Sequence, residues 1–146
     1  MGRIDLETVQ KISLDSNCFI YLMEGSPYEK FLLHLFRKIE NGDLQAVTST
    51  LTVTEILSHP YKKGNIRLVE EYRGLLSSFP NMKVRAVDFH VADRAAELRN
   101  QYRLKTPDAI QLATAILEDT QIFVTNDKDF SSVDFPIVYL QSNNLR

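Results

Sequence analysis

The chain has 146 residues, of which 44% are hydrophobic and 25% are charged, and its formal net charge is −2. This composition predicts one globular domain across residues 1–146, and the slight negative charge argues against a protein that coats nucleic acid with its whole surface. Cys18 is the one cysteine, so an internal disulfide is excluded, and no apolar run reaches the roughly 18 residues of a membrane helix. We therefore expect a cytoplasmic protein without a membrane segment.

Short apolar runs alternate along the chain with longer segments of helical period. The predicted elements, in chain order, are strand 11–15, helix 28–42, strand 44–49, helix 50–59 ending before Pro60, helix 64–79 with a break near Gly74, strand 83–87, helix 91–103 capped by Asp88, a helix with Thr106 as N-cap, strand 121–127 and strand 134–140. This alternation requires crossover connections. It predicts a three-layer α/β/α sandwich with a mainly parallel central sheet.

Acidic side chains follow two of the predicted strands at the point where each strand ends. Asp15 closes the run ISLD, and Asp127 follows Thr125 in the run IFVTND. Ligands of parallel sheets gather outside the carboxyl ends of the strands, so two neighbouring strands would turn both carboxylates toward one pocket. The structural alternative is that Asp15 caps the next helix and that Asp127 turns the chain.

Two further acids lie in predicted helices. Asp108 follows Thr106 and Pro107 at a helix start, where the helix dipole stabilises a negative charge by about 0.3–1 kcal/mol. Glu55 lies away from the apolar side of its helix, so its spacing alone predicts a solvated side chain. Each acid thus has a structural explanation by itself. Their joint distribution near the sheet elements is what indicates a common site.

Four segments occur in an order that resembles the PIN-domain family of small metal-dependent ribonucleases, which includes the toxins of VapC-type toxin–antitoxin pairs. The segments are LDSN, TEIL, TPDAIQLATA and FVTNDKDF. The resemblance spans nearly the whole chain, and DAIQLATA and TNDKDF are its most specific parts. It implies a parallel-stranded α/β/α sandwich, a site for Mg²⁺ or Mn²⁺, and an RNA substrate.

The resemblance also implies the residues of the site. The family's acidic set falls on Asp15, Glu55, Asp108 and Asp127, with Thr125 and Asp129 as candidate additional ligands. Three of the acids would bind the metal, while Glu55 would complete the shell or orient the attacking water. Asp127 is preferred to Asp129 as the last ligand. Oxygen ligands without nitrogen or sulfur suit Mg²⁺ and Mn²⁺, and such a cation can activate water for attack on a phosphodiester.

Three partners follow from the resemblance: an RNA substrate, an antitoxin protein, and a second copy of the chain in a homodimer. The side chains that could contact RNA phosphates are Lys62, Lys63, Arg67, Arg73, Arg94, Arg99, Arg103 and Lys105. A PIN-like module that only binds RNA or protein is the main alternative. A phospho-receiver domain fits less well, because LDSN has a single acid and IVYLQ has no lysine. A phosphatase of the haloacid-dehalogenase type would need an aspartate where Asn17 stands.

Overall fold

A computed structural model describes residues 6–142 of the chain. Its strands are β1 (Lys11–Leu14), β2 (Gln45–Ser49), β3 (Met82–Arg85), β4 (Ile122–Thr125) and β5 (Ile137–Tyr139). Its helices are α1 (Ser16–Met23), α2 (Glu29–Glu40), α3 (Thr50–Lys62), α4 (Ile66–Ser78), α5 (Phe89–Tyr102) and α6 (Thr106–Leu117), and a 3-10 turn covers Lys128–Phe130. Among residues 6–142, no helix combines the length and the apolar content that a bilayer crossing requires.

The strands form a single sheet in the order β3-β2-β1-β4-β5, and every neighbouring pair is parallel. The first strand is therefore central, with Ser13 in register with Val47 on one side and with Phe123 on the other. Parallel pairing sends the carboxyl ends of all the strands to one edge of the sheet. The predicted α/β/α sandwich with a mainly parallel sheet is confirmed.

Two apolar layers cover the sheet, one on each face. The helices α1 to α4 pack on one face against Ile12, Leu14 and Val124, and α5 and α6 pack on the other face against Phe123. Side chains alternate along β4, since Ile122 and Val124 enter the first layer and Phe123 enters the second. Burial on both faces explains why these strands are continuously apolar in sequence.

Two predicted helix interruptions are wrong. The third helix was expected to end before Pro60, but Pro60 lies inside α3 and is buried, and the Asn65 N–H reaches its carbonyl to close the helix end. The fourth helix was expected to break near Gly74, but α4 is continuous, and the Ser78 hydroxyl donates to the Gly74 carbonyl within it. In both helices the packing of the apolar side outweighs the local preference of Pro or Gly.

The predicted start of α6 is displaced by one residue. Lys105 is the N-cap and makes no side-chain capping bond, so Thr106 and Pro107 are the first two helical residues and Asp108 is the third. The side chain remains in the first turn, where the helix dipole favours its charge. By contrast, the predicted cap of the fifth helix is confirmed, because the Asp88 carboxylate accepts from the Val91 N–H at 3.0 Å.

Replacing Phe130 with alanine tests how the segment after β4 is held. Phe130 has no exposed surface and packs edge-on against Phe123 with 4.9 Å between the ring centroids. We expect F130A to lower the free energy of unfolding by about 3–5 kcal/mol, measured by urea denaturation. The control is F89A, because Phe89 is 81% exposed, and its loss should stay below about 0.5 kcal/mol. Equal losses in the two variants would contradict this packing.

Candidate metal centre

Asp15 and Thr125 meet at the carboxyl edge of the sheet, because β1 and β4 are neighbours. The Asp15 N–H donates to the Val124 carbonyl at 3.0 Å, and the Thr125 hydroxyl donates to Asp15 Oδ2 at 2.6 Å. The other oxygen of Asp15, Oδ1, accepts from the Ser16 N–H at 2.8 Å and caps α1. Asp15 is only 7% exposed. One oxygen of Asp15 therefore caps α1, and the other faces Thr125 at the end of β4.

Three more carboxylates lie together beside this pair. Asp108, Asp127 and Asp129 each have an oxygen within 4.8 Å of an oxygen of the other two. Asp127 is fixed by two bonds: its N–H donates to the Thr125 hydroxyl at 3.0 Å, and its Oδ1 accepts from the Asp129 N–H at 2.9 Å. Asp129 is 53% exposed, and its Oδ2 is 3.8 Å from the Lys105 ammonium. Asp127 is therefore the more firmly oriented of the two acids after β4.

Glu55 is half-buried rather than solvated, so the prediction from its helical spacing is wrong. Its Oε1 accepts a hydrogen bond from Gln111 Nε2 at 3.3 Å. The helix α6 lies close enough to α3 to supply that donor, and the period of α3 alone carries no information about it. Gln111 itself was missed. The available signal was a polar residue one turn after Asp108 in an otherwise apolar stretch of helix.

Burial and mutual repulsion act on the acids at this edge. The pKa of Asp15 is raised from its ordinary 3.8 to about 6, chiefly by burial and also by the charges of Glu55 and Asp127, against the hydrogen bonds from Thr125 and Ser16. Burial also raises the pKa of Asp108 from 3.8 to about 6, and the neighbouring aspartates add to the effect while Lys105 opposes it. The five acids thus form one electrostatic group, which we call the acidic cluster: Asp15, Glu55, Asp108, Asp127 and Asp129.

The chemistry of the acidic cluster fits a hard divalent cation. All its donors are carboxylate oxygens, which Mg²⁺ and Mn²⁺ prefer, and the closest three are already gathered within 4.8 Å. A cation would replace the protons that the raised pKa values of Asp15 and Asp108 otherwise favour. The residues that could hold it are Asp108 and Asp127 first, with Asp15 and Asp129 adjacent.

Two side chains at the end of the sheet also lie close to the acidic cluster. Tyr139 ends β5, and among residues 6–142 its buried hydroxyl has no hydrogen-bond partner. Burial raises the pKa of Tyr139, and the charge of Asp127 adds to that shift. The ammonium of Lys128 lies 4.9 Å from the centre of the Tyr139 ring. Neither residue was singled out from the sequence.

The candidate phosphate contacts are partly occupied by nearby acids. Arg67, Arg73 and Arg94 each pair with a glutamate on their own helix, at 3.0–3.5 Å. Arg99 donates to the Leu104 carbonyl at the end of α5. Lys105 differs from these arginines, because its partner is Asp129 of the acidic cluster. Among the candidate phosphate contacts, Lys105 at the start of α6 is thus within ion-pair distance of the acidic cluster.

A family model described as a PIN domain matches residues 12–136. The chain belongs to the PIN domain family. No curated protein sequence is significantly similar to this PIN domain. The matched range includes every residue of the acidic cluster, and with the sheet order it agrees with the fold that the resemblance implied.

Solved structures of similar fold include proteins from toxin–antitoxin systems. A chain of a toxin–antitoxin complex from Klebsiella pneumoniae is 26% identical to this PIN domain, with a TM-score of 0.70, over 90% of this chain and 98% of that one. A chain of VapBC2 from Rickettsia felis, bound to a promoter DNA fragment, is 16% identical with a TM-score of 0.70, over 90% and 100% of the two chains. The Mycobacterium tuberculosis toxin VapC20, which cleaves the sarcin-ricin loop, is 18% identical with a TM-score of 0.70, over 85% and 95%. At 16% and 18% identity, the last two structures support a similar fold only.

The raised pKa values predict that the metal-free PIN domain loses stability as the pH rises. Asp15 and Asp108 have folded pKa values of about 6 against an ordinary 3.8. The folded state therefore binds more protons between these values, and the stability gained from them is lost as the pH rises through about 6. We expect D108N to reduce this dependence and to be at least as stable as the wild type above that pH. Urea unfolding in EDTA across the range measures both effects.

A destabilising effect of D108N would show that Asp108 only stabilises the start of α6. In that case the variant would be less stable than the wild type above about pH 6, because the favourable interaction with the helix dipole is lost, and the pH dependence would be unchanged. D93N is the matched control, since Asp93 is an exposed acid within α5, outside the acidic cluster.

Proposed function

We propose that this PIN domain is a Mg²⁺- or Mn²⁺-dependent endoribonuclease that hydrolyses RNA phosphodiester bonds. The observation that carries the proposal is the convergence of five carboxylates from four separate segments of the chain. A carboxylate cluster of this kind destabilises the metal-free fold, and selection for stability alone gives no reason to assemble it. Membership of the PIN domain family and the likeness to a chain of the toxin–antitoxin complex from Klebsiella pneumoniae add support.

In the proposed site, Asp15, Asp108 and Asp127 hold the cation. Asp127 is preferred to Asp129, because two hydrogen bonds fix it, whereas Asp129 is half exposed and faces Lys105. When bound, the cation supplies Lewis-acid activation of water and of the phosphodiester.

Two further residues have supporting parts in the proposed site. Thr125 acts through Asp15, since its hydroxyl donates to the carboxylate and orients it. Glu55 presents an oxygen that can accept a proton from the attacking water or complete the metal shell. Because Glu55 already accepts one hydrogen bond from Gln111, its orientation toward the other acids is partly fixed.

We further propose that the protein is the toxin of a toxin–antitoxin pair and forms a homodimer. The likeness to a chain of the toxin–antitoxin complex from Klebsiella pneumoniae, aligned over nearly all of both chains, supports the toxin assignment. The homodimer is what the family resemblance implies. The cognate antitoxin would be a protein that suppresses the nuclease by covering the acidic cluster. A small open reading frame beside the gene is the first candidate to supply it.

Cleavage of total RNA in the presence and absence of EDTA tests the nuclease proposal. We expect EDTA to stop cleavage and excess Mg²⁺ or Mn²⁺ to restore it. D108N should lower the rate by roughly 100-fold or more, because it weakens the electrostatic stabilisation that metal and carboxylates provide together. D93N, which changes an acid outside the cluster, should retain the wild-type rate.

Two outcomes would contradict the nuclease proposal. Cleavage that persists in EDTA would separate the activity from divalent metal. Absence of cleavage with RNA binding intact would favour the alternative of a PIN module that only binds RNA.

Addition of the antitoxin protein to the active enzyme should suppress cleavage, and no suppression would contradict the proposed pairing.

A further inference from the structure

We propose that Gln111 is a positioning residue for Glu55, which it holds toward the acidic cluster through a buried hydrogen-bond network between α3 and α6. This inference rests on the proposed function, because it assigns a means of orientation to one acid of that site. Gln111 is 3% exposed and lies one helical turn after Asp108.

The amide of Gln111 has three hydrogen bonds that together fix its orientation. Its Oε1 accepts from the Ser49 hydroxyl at 3.0 Å, and its Nε2 donates to the Thr52 hydroxyl at 3.0 Å and to Glu55 Oε1 at 3.3 Å. Both amide hydrogens are therefore used. Rotating the amide by a half turn would place its oxygen against the Glu55 carboxylate, where two acceptors repel.

Donor counting extends the network to the central strand. The Thr48 hydroxyl donates to the Leu14 carbonyl at 2.9 Å, so its single hydrogen is used. The 2.7 Å contact between the Thr48 and Thr52 hydroxyls must then be donated by Thr52. The direction of donation runs from Gln111 through Thr52 and Thr48 to Leu14. That carbonyl immediately precedes Asp15.

The network connects Glu55 by hydrogen bonds to the two elements that position Asp15 and Asp108. One end is the carbonyl before Asp15 on β1, and Gln111 stands three residues after Asp108 on α6. A glutamate side chain has several rotatable bonds and is costly to order. The Gln111 bond occupies Oε1 and leaves Oε2 without a hydrogen bond from any residue between 6 and 142. That second oxygen has all its acceptor capacity available to water or metal.

A purely structural role for Gln111 predicts different behaviour. In that case the amide only joins α3 to α6, and its loss lowers stability without any specific relation to Glu55. Buried polar groups that lose a partner are destabilising in any position. The two roles therefore differ in the coupling between Gln111 and Glu55, and stability alone does not distinguish them.

A double-mutant cycle with Q111M and E55Q measures that coupling. Methionine keeps the unbranched shape of glutamine and removes its hydrogen bonds. We expect Q111M to reproduce the defect of E55Q, a fall of roughly 10–100-fold in kcat or in Mn²⁺ affinity. In the E55Q background, Q111M should cost less than about 3-fold. RNA cleavage gives kcat and KM separately, and titration calorimetry gives the Mn²⁺ affinity without reference to activity.

The matched control is T114V. Thr114 is a fully buried residue of the same helix, and its hydroxyl donates to the Ile110 carbonyl without touching the network. We expect T114V to lower the melting temperature while its effects on kcat and Mn²⁺ affinity stay small. If Q111M fails to fold, Q111N replaces it, because the shorter amide remains polar and loses its reach to Glu55.

The inference is overturned if Q111M leaves both kcat and Mn²⁺ affinity at wild-type values, or if its cost is the same with and without E55Q. Failure of the nuclease proposal would look different, since the wild type would then cleave no RNA under any condition. In that case the cycle in Mn²⁺ affinity decides the role of Gln111. Equal Mn²⁺ affinities across the four proteins would count against it.

Discussion

Burial and mutual repulsion of the carboxylates that the fold gathers at one edge of its sheet are the constraint on which the site depends. Burial and neighbouring negative charges raise the pKa values of both Asp15 and Asp108 to about 6. The hydrogen bonds from Thr125 and Ser16 offset only part of that effect at Asp15. A protein without a cation therefore balances this repulsion with protons, whereas a divalent ion can neutralise several acids at once. Stability and metal binding are linked through the same side chains.

Three of the acids tolerate this repulsion because they also stabilise the local structure. Asp15 caps α1, Asp127 caps the 3-10 turn, and Asp108 lies in the first turn of α6. These positions favour a negative charge through backbone N–H groups and the helix dipole. The structural and functional explanations of the acids are compatible, since a capping bond uses one carboxylate oxygen and leaves the other. Parallel crossover topology brings the capped ends to a common edge.

Local patterns in the sequence were sufficient for the fold and insufficient for the contacts between helices. Alternating apolar runs predicted the parallel sheet, and the acids at the ends of β1 and β4 indicated where a site should form. The environment of Glu55 could not be predicted, because it depends on Gln111 of a helix distant in sequence. Pro60 and Gly74 predicted helix interruptions that do not occur, because packing of the apolar sides keeps α3 and α4 continuous. This packing also depends on residues distant in sequence. The assignment of Glu55 to the site came from the family resemblance.

The most direct test of the account is a crystal structure of the protein grown with Mn²⁺, with the ion located by its anomalous scattering. The account predicts a Mn²⁺ peak at the carboxyl edge of the sheet, with oxygens of Asp15, Asp108 and Asp127 at coordination distance, about 2 Å. Occupancy at another surface, or no Mn²⁺ among these acids at a concentration that supports cleavage, would contradict it.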